Sequence, residues 1–121
     1  MPPRTGRVYY KGLRGRTPCH IDWPGVINFR SVVSVTAAEY DPIRIDTRIP
    51  LPGVPLPFPP QDDFFRIAGA ADIWVSDISP HGPGGTDPGG VWFVVTVNWR
   101  EPLWITADIT VFDPVVDRIF L

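Results

Sequence analysis

Cysteine is nearly absent. Cys19 stands alone among 121 residues, so no intramolecular disulfide is possible and the fold must rest on its core. Long apolar runs are absent too. No segment approaches ~18 consecutive apolar residues, and the opening stretch MPPRTGRVYYKGLRGR holds no apolar region of signal-peptide kind. This excludes a helical membrane span and leads us to expect a chain kept in the cytoplasm, or assembled there into a particle, with no membrane partner. Helical spacing is also missing, since no stretch of ~10 residues repeats its apolar positions at intervals of three and four. Nor is there a serine-hydrolase elbow, a phosphate-binding glycine loop or a paired-carboxylate signature, so the expectation leans away from an enzyme and calls for no cofactor.

Punctuation takes the place of helices. Sixteen prolines and eleven glycines exceed average usage and interrupt the chain often enough to favour strands joined by long loops. The length suits one domain that buries roughly two-thirds of its unfolded surface. Charge is unevenly spread around a net of −2. Residues 1–20 carry Arg4, Arg7, Lys11, Arg14 and Arg16 with no acid, which is +5, leaving −7 for the rest from six basic and thirteen acidic residues. We therefore expect a basic N-terminal arm over 1–20 ahead of a single domain over 21–121. Such an arm could contact nucleic acid or the acidic body of a neighbouring copy; a solvated tail is the plain alternative.

Alternation with a period of two is the strongest regularity. Phe29, Val33, Val35 and Ala37 interleave with Arg30, Ser34 and Thr36, and Ile43, Ile45 and Ile49 with Arg44, Asp46 and Arg48, as in half-buried strands. Residues 67–78 read as a strand, 8–10 as a short one and 115–121 as a terminal one. In 91–114, Val91, Phe93, Val95, Val97 and Trp99 form one face, answered by Leu103, Ile105, Ala107, Ile109 and Val111. Read as a hairpin, this segment turns at Arg100-Glu101-Pro102, with Trp99 opposite Leu103; that turn lacks the glycine a three-residue hairpin usually wants. Pro50–Pro60 should be extended, because proline fixes φ and removes ladder donors. Residues 79–90 read as a flexible loop, and 61–66 as one helical turn. At least five strands and no substantial helix indicate an all-β, antiparallel β-sandwich, with a small β-barrel as the alternative.

The other face of 91–114 carries Trp92, Asn98, Trp104 and Asp108, and Trp74 sits on the polar side of its own strand. Covered by the chain itself, these indoles are merely core. Left open, they are an interface for other protein subunits, a homo-oligomer or a larger assembly such as a virion. As a third reading they form a flat platform for carbohydrate or another small ligand, with Asn98 and Asp108 as hydrogen-bonding partners. A small barrel enzyme using Asp108 or His81 is a further alternative. His81 has Asp77 four residues before it and Asp87 six after it, and Cys19 adjoins His20; neither spacing is an established metal motif, so no metal site is expected. Cys19 and His20, adjacent on an extended chain, should point in opposite directions. The leading expectation is a structural or assembly subunit acting through its surfaces, with the carbohydrate platform next.

Overall fold

Strands form where β-branched and aromatic residues alternate with polar ones, and Gly, Pro and Asp end them. The computed structural model describes residues 3–46 and 63–121; the proline-rich segment Pro50–Pro60 lies outside the described residues. Among the described residues seven strands appear: β1 (Arg4–Leu13), β2 (Gly15–Asp22), β3 (Val32–Asp46), β4 (Asp63–Ile67), β5 (Asp72–His81), β6 (Gly90–Asn98) and β7 (Leu103–Phe112). They make two antiparallel sheets, ordered β1-β7-β3-β4 and β2-β6-β5. Among the described residues there is no helix, and hence none long and apolar enough to cross a membrane.

The sheets pack as a sandwich and do not close into a barrel. Cys19, Val91, Phe93, Val95 and Val97 from one sheet meet Val35, Ile105, Ala107, Ile109 and Val111 from the other, with Ile27 closing one end. Fully burying a side chain such as Phe93 or Ile105 stabilises by about 1.5–3 kcal/mol before chain entropy is counted.

The hairpin expected over 91–114 is not formed. β6 lies between β2 and β5, and β7 between β1 and β3, so the two strands share no hydrogen bonds and belong to different sheets. Their apolar faces do meet, but across the interior rather than side by side. Alternation fixes which face is apolar and is silent on whether that face is shared laterally or frontally. The missing turn glycine fits this arch, since no tight hairpin turn is made.

The basic stretch read as an arm is strand in both sheets. Arg7, Lys11 and Arg16 alternate with Val8, Tyr10, Leu13, Cys19 and Ile21, which pack on or within the core. Composition registers the charge and misses this alternation. Only Arg14 separates β1 from β2, and the crossing between sheets is flanked by Gly12 (φ 74°) and Gly15 (φ 68°), a left-handed geometry that glycine adopts freely. The two strands expected over 29–37 and 43–49 run together over Val32–Asp46 as one strand, β3, and residues 47–49 lie outside the described residues. Phe29 lies before it in a turn, 68% exposed. The helical turn expected over 61–66 is replaced from Asp63 onward by β4. Residues 115–121 form no strand and are exposed.

Candidate functional site

The outer face of β2-β6-β5 gathers side chains from three distant segments. Trp92 on β6 lies between His20 on β2 and Ser79 on β5, and Gly90 lies between Asp22 and His81. Directly opposed residues share a face, so His20, Asp22, Ser79 and His81 all point outward with Trp92. Two local features put them there.

The first is a bulge in β5. Before it Trp74 opposes Thr96 and Ser76 opposes Val94; after it Ser79 opposes Trp92, so Asp77 and Ile78 together face Phe93. The extra residue switches parity, and odd positions now point outward: His81 faces solvent while Pro80 opposes the buried Val91. Asp77 takes the strained place at φ 53°, which aspartate tolerates better than most residues. Arg16 reaches across to it at 2.9 Å. The second feature is Gly90. It has no side chain to stand between Asp22 and His81, and a Cβ there would run into the Ile21 carbonyl.

The resulting cluster is tight. His20 Nε2 lies 2.8 Å from His81 Nε2 and 3.2 Å from Asp22 Oδ1. On its far side His81 Nδ1 meets the Asp87 carboxylate at 2.7 and 2.8 Å. A carboxylate only accepts, so Nδ1 carries the proton and, in the neutral ring, the lone pair sits on Nε2, aimed at His20. Asp87 is itself fixed: it accepts from the Gly89 N–H at 2.9 Å. That bond, with smaller help from His81, holds its carboxyl below the usual aspartate range.

The loop carrying Asp87 is rich in glycine yet anchored. Gly84 and Asp87 exchange backbone hydrogen bonds, Gly89 C=O accepts from Trp23, and Gly82 C=O accepts from Phe29. Trp92, 50% exposed, stacks on His20 with centroids 4.3 Å apart, and His20 in turn stacks on His81 at 4.9 Å. Beside the stack is a depression of about 370 Å³ lined by His20, Asp22, His81, Thr86, Asp87, Pro88 and Trp92. Asp22, His20 and His81 bring their donor atoms within 4.8 Å of one another.

The other residues singled out from the sequence are dispersed. Trp74 and Asn98 share this face but sit toward its opposite end, Trp74 beside Thr96 and Asn98 beside Asp72, roughly 13 and 20 Å of strand from Trp92 respectively. Trp104 and Asp108 are on the outer face of the other sheet. Trp104 packs edge-on against Tyr40, centroids 5.9 Å apart, and Tyr40 against Tyr9 at 5.3 Å. Asp108 is taken by Arg7 and Arg66, each at 2.6 Å. No single platform of three indoles exists, because β6 and β7 lie in different sheets. Of the basic residues, Arg4 sits 5.8 Å from the Trp23 ring centre, Arg7 and Arg16 pair with acids, and Lys11 and Arg14 are exposed.

Cys19 points inward, opposite to His20, and is 5% exposed; burial pushes its thiol pKa up. The pairing of His20 with His81, 61 residues apart, had no signal in sequence spacing. Comparison with protein-family models, with curated proteins and with solved structures finds no match to this chain.

Proposed function

We propose that the chain is a ligand-binding β-sandwich module that takes carbohydrate, or a comparable polyhydroxylated small molecule, on the outer face of β2-β6-β5. The observation that carries this reading is Trp92, an indole half exposed, held flat by its stack on His20, and bordering a depression whose other walls, Pro88 apart, are polar. A flat indole offers apolar area to the C–H face of a sugar ring, while Asp22, Thr86 and the histidines offer hydrogen-bonding groups to its hydroxyls. Trp104 and Asp108 play no part in it, being on the opposite outer face.

The test is a glycan screen followed by fluorescence titration of the tag-free chain. A binding sugar is expected to shift tryptophan emission, and Trp92→Ala should abolish the shift while Trp104→Ala leaves it in place. No binding across the screen, or binding that survives Trp92→Ala, would sink the reading.

A second reading, a subunit that assembles with further copies or within a particle, is supported by a different surface. Residues 115–121 leave β7 without joining a sheet, and Val116, Ile119 and Phe120 are 89%, 83% and 88% exposed. Val115, Val116 and Arg118 border, with Phe29, Arg30 and Ser31, a depression of about 680 Å³, larger than the one at Trp92 but without its cluster of imidazoles and carboxylates. Light scattering at micromolar concentration checks it: a mass above the monomer that returns to monomer on deleting 115–121 supports assembly, and a monomer throughout removes it.

A further inference from the structure

We propose that His20, His81 and Asp22 bind one divalent first-row transition ion, with Asp87 as the outer partner that orients His81. The inference goes beyond sugar binding and does not require it, since the ion would be held whether or not a ligand stacks on Trp92.

The donor set is the starting point. Two imidazoles and one carboxylate suit zinc and its neighbours, whereas calcium and magnesium take oxygen ligands almost throughout. Geometry comes next. The three donor atoms lie within 4.8 Å of one another, and ions of this class bind at about 2.0–2.2 Å, which sets neighbouring donors roughly 3.3 Å apart in a tetrahedral shell. The His20 and His81 nitrogens, at 2.8 Å, need to separate by only about half an ångström to admit an ion. His20, Asp22 and His81 have side chains 29%, 50% and 21% exposed, so small rotations are open to them and the remaining coordination positions face solvent.

The bond from His81 Nδ1 to Asp87 is the second, independent observation. Ligating histidines almost always donate their other N–H to a carboxylate, carbonyl or water, which fixes the tautomer and presents the lone pair to the metal. His81 has that arrangement, with Nδ1 on Asp87 and Nε2 facing the other two donors. An ordinary surface histidine pair requires neither an anchored carboxylate behind one ring nor a glycine cleared from between two strands. Binding would require the single proton that His20 Nε2 shares with His81 Nε2 to move to His20 Nδ1, which leaves both rings neutral and both Nε2 lone pairs free for the ion.

The tag-free full chain, stripped with chelator and dialysed, is titrated with Zn²⁺ by calorimetry, with metal content read by atomic emission. One Zn²⁺ per chain is expected, and His20→Gln and His81→Gln, close in volume and surface-placed, should each remove it. Asp87→Asn should weaken binding about 10–100-fold. Co²⁺ added to the unaltered chain should give visible absorption bands of a low-coordinate site, a readout that depends on no variant. Absence of saturable Zn²⁺ binding, or one equivalent that persists in both glutamine variants, would overturn the proposal. Zn²⁺ binding without sugar binding would leave the metal site standing and remove only the carbohydrate reading.

Discussion

The phenol of Tyr10, on the inner face of one sheet, reaches across the sandwich to the thiol of Cys19 on the inner face of the other. Thiol sulfur is a weak acceptor, and among the described residues the Tyr10 hydroxyl is buried with no well-formed hydrogen bond. An unsatisfied buried hydroxyl costs about 1–3 kcal/mol. Tyr10→Phe, which deletes the hydroxyl and keeps the ring, is therefore expected to be neutral or to stabilise by about 1 kcal/mol. Urea unfolding of the two proteins decides it, and a clear loss of stability would mean the hydroxyl has a good partner.

The same pair makes the fold sensitive to alkali. Burial raises the pKa of Tyr10 above its ordinary 10.0 and that of Cys19 above 9.0. Both groups are neutral when protonated, and the folded state holds the proton more tightly than the unfolded one. Their contribution is thus fully present below pH 9 and is lost as pH climbs through 9 and 10 toward the folded values, by up to about 1.4 kcal/mol per unit for each group. Midpoints of urea unfolding at pH 7, 9 and 10.5 should fall in that order. Native Cys19 should also react slowly with a thiol reagent at pH 8 and rapidly once denaturant is added.

Asp108 ties β7 to the adjacent β1 through Arg7 and, across β3, to β4 through Arg66. These side chains are 30–37% exposed, so solvent screens the pairs, and Asp108→Asn should cost about 1 kcal/mol. The loss should shrink in 0.5 M salt, where exposed charges interact over only a few ångströms. A salt-independent loss would point to shape rather than charge.

Gly90 is where the site and the fold make the same demand. In Gly90→Ala the new methyl group meets the Ile21 carbonyl and the Asp22 backbone, forcing β2 away from β6. We expect a loss of about 2–3 kcal/mol, seen as a melting temperature lower by roughly 10 °C, with the His20–His81 contact disturbed in imidazole NMR signals. An unchanged melting curve would show that β2 can shift freely.

The all-β sandwich was legible because alternation is a local signal. Val95, Val97, Ile105 and Ile109 announce their inward face within a few residues, and all four are buried. Pairing is not local. Leu103 neighbours Leu13 rather than Trp99, and nothing in either strand's own pattern distinguishes these partners. The candidate site was illegible for a related reason. His81 faces His20 only because one bulge residue reverses parity midway along β5, and alternation read straight through from Trp74 places His81 on the inner face. Asp87 was visible as a turn residue, but its bond to His81 depends on a loop anchored by Trp23 and Phe29, which sequence spacing does not encode.

The position of β7 between β1 and β3 carries a consequence for biosynthesis. During translation β1 and β3 emerge early, each with an edge that has no neighbour until β7 follows, so the four-stranded sheet cannot be completed progressively from the N-terminus. The waiting edges are the kind of surface that chaperones cover and that pairs wrongly when crowded. Nascent chains stalled before Leu103 should accordingly be cut by protease throughout 4–46, and should become resistant only once the whole of β7 has cleared the ribosome.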